Sequence, residues 1–434
     1  MSAPDLRDEV VELARELIRI DTSNPPGNET PAAELIAEHL RDAGIASELA
    51  GPDPARLNLI ARIPGGDGPS LMLIAHTDVV PAPTEGWTVP PFEGALRDGR
   101  LIGRGAVDMK NELAARVTAF AAFARSGERP AGDVVLVAES DEERGTADVG
   151  MTWLVRERPD LRCDFAINEG SSVLLELADG RRVVTLSVGE KYVTAIRVRV
   201  FGRAGHASIA TGNQSAVDHA AAAVERLRSA RGSTVIIPTM ARALGAIGIE
   251  SEDPEEAVAE AAQLHPVLAD WIPAMTRLTV VPTGLRTYEP PNVVPPFADV
   301  ICDCRALPTQ GEDEIRAHIA AALDDHLSYE LELLEPLAGG TESPIETPLY
   351  RVMEEYLAER LPGALLLPLI DTGFTDSHWI REAFGTVAYG FAPVLHGDPV
   401  AYLSAAHGAD EALEVDDLVE MAEFHLHALT ALSA

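Results

Sequence analysis

The chain has 434 residues, of which 46% are hydrophobic and 24% charged, and it carries a formal net charge of −35; that length exceeds one ordinary core, so two domains are expected. The charge excludes nucleic acid and anionic membranes as partners by like-charge repulsion, and no apolar run approaches a membrane span. Three cysteines, an odd number in so long a chain, argue against a disulfide framework and for a reducing compartment.

The N-terminal stretch lacks the basic start and apolar core of a secretory signal, which fits a cytoplasmic protein. It leads into an amphipathic helix over Val11 to Ile18, then a second over Pro31 to Ala43 closed by Gly44. Strands follow at Asn58 to Arg62 and Leu71 to Ala75, with Gly65, Gly66 and Gly68 marking the turn between them. A helix from about Glu112 to Arg125, a strand at Val134 to Ala138, a helix over Gly150 to Arg156 and a strand at Phe165 to Asn168 continue the alternation. The pattern predicts an α/β fold with a mainly parallel, helix-covered sheet.

After Gly189 the order changes to a strand (Tyr192 to Phe201), a helix (Ala216 to Arg228), strands at Leu278 to Val281 and Val300 to Arg305, a helix (Glu312 to Leu323) and a strand (Tyr329 to Leu334). This is a complete α+β unit. Within it, Gly232 to Pro273 is less regular and carries an acidic run, Glu250 to Glu256, expected as a solvated helical elaboration. Cys302 and Cys304 alternate on one strand face and, like Cys163, read as small buried residues. A Gly- and Pro-bearing linker, Glu335 to Pro348, precedes a helix near Leu349 to Arg360, and the chain closes with a helix over Val415 to Leu432. Residues 189–340 therefore form a smaller α+β domain inserted between 1–188 and 341–434.

Chemistry-bearing residues gather where apolar runs end. Leu71 to Ala75 runs into His76, Thr77 and Asp78, at the carboxyl end of a buried strand, where open α/β sheets place ligands. Residues two apart share a strand face, and a carboxylate beside an imidazole fixes its tautomer for metal binding; a hydrogen-bonded polar pair is the plainer reading. Gly103 to Lys110 places Asp108 just before a helix, as a ligand or an N-cap. Val134 to Ala138 runs into Glu139, Asp141, Glu142 and Glu143, a self-repelling cluster that is either a solvated loop or a site where a cation neutralises it. Phe165 to Asn168 delivers Glu169, and His407 precedes the last helix. Two imidazoles and several carboxylates at successive strand ends make the N/O donor set suited to zinc.

With these motifs the chain resembles the dinuclear zinc hydrolase family of glutamate carboxypeptidase, carboxypeptidase S, aminoacylase, acetylornithine deacetylase and succinyl-diaminopimelate desuccinylase. Gly205 to Ser208, Asn292 to Pro295, Asp303 to Arg305 and Thr375 to Ser377 extend the match over nearly the whole chain. The resemblance implies two Zn2+ per subunit, with Co2+ or Mn2+ as substitutes. His76 and Glu169 would hold one ion, Glu143 and His407 the other, and Asp108 would bridge them. It further implies that Asp78 orients His76 and that Glu142 is the general base, moving a proton from metal-bound water to the leaving nitrogen. Residues 1–188 and 341–434 would be the zinc-binding catalytic domain, and 189–340 a dimerisation or lid domain joining a homodimer. From that smaller domain His206 would reach the partner subunit's site and stabilise the oxyanion, a surface histidine being the plainer reading. Asn292 and Arg305 match substrate-contacting positions, Arg305 being suited to a bidentate grip on a carboxylate or else to a structural ion pair; Gly373 would line the acyl pocket through its backbone.

Phe374 stands where relatives often have a second glycine and His378 where many have Arg, which implies a reshaped pocket beside this loop, and Glu335 to Leu337 lacks the Arg of glutamate carboxypeptidase, which argues against a glutamate-specific pocket. The implied activity is zinc-dependent hydrolysis of a small peptide, of carboxypeptidase or dipeptidase type. The alternative is an N-acyl amino acid amidohydrolase, and a more remote one a catalytically silent binding protein. No Gly-x-Ser-x-Gly elbow supports a nucleophilic hydrolase.

Overall fold

Runs of aliphatic residues too long and too apolar to face water become the centre of a sheet. The computed structural model describes residues 3–170, 172–209, 215–324 and 327–432. Packing divides the chain into two units, the larger comprising residues up to Gly189, Ser343–Leu369 and from Thr375 onward, the smaller Glu190–Glu342 with Ile370–Phe374. The last segment returns to the smaller unit because the Lys191 N–H donates to the Asp371 carbonyl at 3.0 Å, a pairing that a single uninterrupted insertion does not foresee.

A nine-stranded sheet runs Ser47–Ala50, Asn58–Ile63, Val134–Glu139, Leu71–His76, Phe165–Asn168, Val387–Gly390, Arg182–Glu190 and Leu365–Asp371, with Leu174–Glu176 beside Arg182–Glu190. Its centre is parallel: Leu71–His76 lies between Val134–Glu139 and Phe165–Asn168, and Phe165–Asn168 also pairs with Val387–Gly390. Flanking pairs, from Ser47–Ala50 through Asn58–Ile63 to Val134–Glu139 and from Val387–Gly390 to Arg182–Glu190, are antiparallel. Every residue of Leu71–His76, Val134–Glu139 and Phe165–Asn168 is buried, as expected for strands covered on both faces. Because these three are parallel neighbours, their carboxyl ends emerge side by side.

The helix Lys110–Ser126 is buried from Lys110 through Phe123, packed among the sheet and the helices Ala3–Arg19 and Val415–Ala431. It is buried all round although it carries Lys110, Asn111, Glu112, Arg116 and Thr118, and its alanines let the neighbours approach. Two of its buried charged residues are paired nearby. Arg116 donates to Glu112 and to the Ile74 carbonyl, both at 2.6 Å. The Lys110 ammonium donates to the carbonyls of Leu17 (3.0 Å) and Ile20 (2.7 Å), at the negative end of the first helix.

The smaller unit carries an antiparallel sheet in the order Thr279–Arg286, Phe297–Ala306, Tyr192–Phe201 and Tyr329–Leu333, with Ala338–Gly339 also on Tyr192–Phe201. Tyr192–Phe201 buries alternate residues, the period-two signature of a one-sided sheet. Ile196, Val198, Val200, Val300, Cys302 and Cys304 pack there with Leu227 and Ile319 from the helices Ala216–Ser229 and Glu312–Leu323. Burial pushes the thiols up, Cys163 to about 11 and Cys302 to about 12, so neither is a thiolate nucleophile at neutral pH. The irregular insertion is three helices, Pro238–Ala246, Pro254–Leu264 and Pro266–Met275, each with proline in its first turn. Glu255 and Glu256 are exposed, but Met240, Leu244, Val258, Leu268 and Ile272 are buried; the segment is a packed sub-core and not only a solvated elaboration. Lys191 closes it, its ammonium donating to the carbonyls of Ala274 (3.0 Å) and Arg277 (2.8 Å).

No helix among the described residues is long and apolar enough to cross a membrane. Phe120 has no exposed surface, so Phe120→Ala is expected to lower stability by about 3–5 kcal/mol, read as a lower midpoint in denaturant unfolding with an unchanged slope.

Candidate metal centre

Three parallel strand ends and two loops converge in the larger unit. His76 terminates the central strand, the segment after Glu139 carries Asp141, Glu142 and Glu143, and Glu169 follows Asn168. Neighbouring strands lie about 4.8 Å apart, so side chains leaving their ends meet without further folding. Asp108 comes from the loop before Lys110–Ser126. It is not that helix's cap, since the N-cap is Met109 and makes no side-chain bond. His407 comes from the turn after Pro399–Ala405, with φ at +62°.

Two groups are placed to hold a metal ion: His76, Asp108 and Glu169, and Asp108, Glu143 and His407, with donor atoms in each within 4.8 Å of one another. His76 Nε2 lies 3.1 Å from Asp108 Oδ1 and 3.7 Å from Glu169 Oε2. His407 Nε2 lies 3.1 Å from Asp108 Oδ2 and 3.2 Å from Glu143 Oε2. Asp108 therefore gives one oxygen to each group. Glu142 belongs to neither, yet its Oε2 is 3.9 Å from His76 Nε2.

The electrostatics fit cations. Burial raises the carboxyl of Glu142, and the charges of Glu169, Asp376 and Glu143 raise it further, well above the usual range. Burial also raises Glu169. Burial lifts Asp108 too, but contacts with His407 and His76 outweigh it and hold the carboxyl low. His407 is pushed up to about 10 by Asp108 and then Glu143, and His76 rises well above its ordinary value despite burial that opposes the charge. Each imidazole thus answers negative charge that a cation would answer better. When ionised, Asp108, Glu142, Glu143 and Glu169 carry four negative charges, which two divalent ions balance, and the imidazole and carboxylate donors are those zinc accepts.

A buried shell fixes these groups. The Asp78 carboxylate accepts the Asn24 amide at 2.9 Å and the backbone N–H groups of Glu142 and Glu143 at 3.2 Å each, while His76 Nδ1 lies 2.9 Å from the Asp78 carbonyl. Burial raises Asp78, but His76 and Asn24 outweigh it and keep it ionised. Asp78 is thus a hub joining two strand ends. Asp141, expected only as part of the acidic run, lies buried with φ at +68° and accepts bonds from Asn24 (2.8 Å), Arg56 (3.0 Å) and the Ala147 N–H (2.6 Å). Arg56 also pairs bidentately with fully buried Glu29. Asn168 Nδ2 donates to Ser377 Oγ at 3.2 Å, tying the Thr375 to Ser377 motif to the strand that delivers Glu169. Glu139 and Asp376 are also buried here, and burial pushes Asp376 up to about 7. A side chain at Gly390 would meet the Glu169 carbonyl, so only glycine lets that strand end through.

Asn24, Glu29, Arg56 and Glu411 were not singled out from the sequence. They lie far from the motifs along the chain and carry no local pattern. The only signal was the acid at 411 in the segment that carries His407.

The remaining expected residues belong to the smaller unit. His206 is exposed in a two-stranded ribbon, paired across to Val293. Its Nδ1 accepts the Ser208 N–H at 3.2 Å, leaving Nε2 to carry the proton. Exposed Asn292 is joined to the same ribbon, its carbonyl accepting the Ala207 N–H at 3.0 Å. Arg305 forms a bidentate pair with Asp303 at 2.9 and 3.1 Å, and its Nη1 has no hydrogen-bond partner. Gly373 is exposed. His378, in the larger unit, is buried with Nδ1 2.7 Å from the Thr375 carbonyl.

The family model of peptidase family M20/M25/M40 matches residues 72–431. N-fatty-acyl-amino acid synthase/hydrolase PM20D1 of Mus musculus is 26% identical over 447 aligned positions, covering 96% of this chain and 86% of that protein. Succinyl-diaminopimelate desuccinylase of Delftia acidovorans is 40% identical over 165 positions, covering 36% of this chain and 42% of that one. In fold, the chain is similar to the metallo-carboxypeptidase Sso-CP2 of Sulfolobus solfataricus, with a TM-score of 0.71 at 17% identity, covering 98% of this chain and 99% of the other.

Removing one partner of a buried pair leaves an uncompensated charge. Arg56→Met strands Glu29 and Asp141 and is expected to cost about 3–5 kcal/mol, measured by urea unfolding against a surface control such as Arg41→Met.

Proposed function

Because the chain belongs to peptidase family M20/M25/M40, a family of hydrolases acting on amide and peptide bonds, we propose that it hydrolyses the amide bond of a small peptide, of carboxypeptidase or dipeptidase type, with two zinc ions at the His76 and His407 groups. The observation that carries this reading is the shared Asp108 between two donor triads, with Glu142 beside His76 and a member of neither. A zinc pair lowers the pKa of bound water to about 7 and polarises a carbonyl. His76 and Glu169 would hold one ion and Glu143 and His407 the other, with Co2+ or Mn2+ as substitutes, and Asp108, which turns one oxygen to each group, would serve both. Asp78 keeps His76 in the tautomer whose Nε2 is free to ligate, and through two backbone bonds keeps Glu142 and Glu143 in place.

Glu142 is the general base. Its carboxylate lies beside His76 yet outside both donor groups, the position needed to accept a proton from water and return it to the leaving nitrogen. From the smaller unit, the Nε2–H of His206 acts as an oxyanion donor in the partner subunit's site, and Asn292, Arg305 and Gly373 contact substrate. Asp303 holds Arg305 through Nε and Nη2, which orients the guanidinium. A homodimer through the smaller unit is supported by Thr279–Arg286, an outer strand of its sheet that exposes Val281 and Leu285. Three free, buried cysteines fit a cytoplasmic setting.

A second substrate reading is an N-acyl amino acid, favoured by the near full-length similarity to a protein named as an N-fatty-acyl-amino acid synthase/hydrolase. A panel of dipeptides and N-acyl amino acids, assayed with and without chelator, decides between them. Hydrolysis is expected to vanish on metal removal and return with zinc, and Glu142→Gln to lose about 10²–10⁴-fold in kcat with metal content unchanged. An intact metal count with no turnover on any amide would favour a binding protein. His206→Ala is expected to lower kcat by about 10²–10³-fold, again with full metal content; an active monomer would remove the cross-subunit role.

A further inference from the structure

Asp108 and His407 both stand outside regular secondary structure, so neither helix nor strand geometry fixes them. One fully buried carboxylate, on the segment that follows His407, is bonded to the loop that carries Asp108 and, through Arg104, tied to His407. Glu411 Oε1 accepts the backbone N–H groups of Gly105 (3.1 Å), Val107 (2.7 Å) and Asp108 itself (3.0 Å). Its Oε2 pairs with Arg104 Nη1, and Arg104 Nη2 donates to the His407 carbonyl at 3.1 Å. The Glu411 carbonyl accepts the Gly103 N–H at 2.9 Å, closing the loop from its other end. Arg104 is itself buried and lies 5.5 Å from the Trp87 ring centroid, so the guanidinium is held in place.

We infer that Glu411, acting through Arg104, is a positioning residue for the metal pair: it sets the bridging ligand Asp108 and the terminal ligand His407 at a fixed separation before any ion arrives. The inference rests on the metal reading above and adds to it a residue that touches neither ion nor substrate. A scaffold glutamate with only a folding role would be satisfied by any arrangement that pairs Arg104. Here three N–H groups converge on the oxygen facing away from Arg104, and one of them belongs to Asp108. Donor atoms must lie within roughly 0.5 Å of working geometry for tight binding, and outer-shell partners of this kind typically contribute 10–100-fold in metal affinity. Because Asp108 serves both groups, loss of Glu411 weakens both metal equivalents together rather than one.

The test is zinc affinity by chelator competition, together with the melting temperature of the metal-free protein, for wild type, Glu411→Gln and the double variant Arg104→Met/Glu411→Gln. Glu411→Gln leaves Arg104 buried and unpaired, and is expected to lower the metal-free melting temperature as well as affinity. The double variant removes that stranded charge. It is expected to recover most of the melting temperature while both zinc equivalents still bind about 10–100-fold more weakly than in wild type. Wild-type affinity in a folded double variant overturns the positioning role and leaves Glu411 a partner for Arg104 alone, as does loss of a single equivalent. A wild-type protein that takes up no zinc, cobalt or manganese overturns the metal reading itself, a result distinct from unchanged affinity in the variants.

Discussion

Bringing carboxylates together inside a protein is unfavourable twice over, through lost hydration and through mutual repulsion, and this chain does so around His76. The parallel registry of three neighbouring strands makes the encounter unavoidable: once Leu71–His76 lies between Val134–Glu139 and Phe165–Asn168, the residues after each strand share one small volume. The same apolar runs that drive the sheet together therefore impose the charge problem, and the surrounding structure is arranged to contain it.

The containment differs from one carboxylate to the next. Asp78 is held ionised, against burial, by His76, by Asn24 and by two backbone N–H groups, and Asp141 accepts hydrogen bonds from Arg56, Asn24 and Ala147. Glu142, Glu139 and Asp376 are instead pushed toward their neutral forms, burial being the largest cause for each. The surroundings thus move these carboxyls in opposite directions, Asp78 down through its donors and Glu142, Glu139 and Asp376 up through burial.

Asp108 and His407 come from loops and were marked only by residue type, whereas the central strands were legible as apolar runs, and His76, the acids after Glu139 and Glu169 stand directly at their ends. Tyr192–Phe201, Phe165–Asn168 and Glu312–Leu323 carry the expected limits for the same reason. Arg182–Glu190, Leu365–Asp371 and Val387–Gly390 were not foreseen. The first is buried almost throughout and has no alternation to read, the second is interrupted by Pro368, and the third is four residues long. The antiparallel flanks of the larger sheet are equally silent in a linear pattern, since strand direction depends on connections longer than any local window. The shell of Asn24, Glu29, Arg56 and Glu411 was hidden because it is assembled by folding: Arg56 and Glu29 stand 27 residues apart, and Arg104 and Glu411 stand 307 apart.

The two lysines carry a consequence for how the molecule meets its chemical surroundings. Lys110 and Lys191 are the only ones in the chain, both are fully buried, and both ammonium groups are spent on carbonyls at helix ends. Every other fixed side-chain cation is an arginine, whose guanidinium stays charged and is far less nucleophilic than an amine. The folded surface consequently offers aldehydes, activated esters and acyl phosphates no side-chain amine, and amine-directed cross-linkers no internal anchor. Acylation of a lysine becomes a reporter of unfolding, because only a chain that has released its helix ends exposes one.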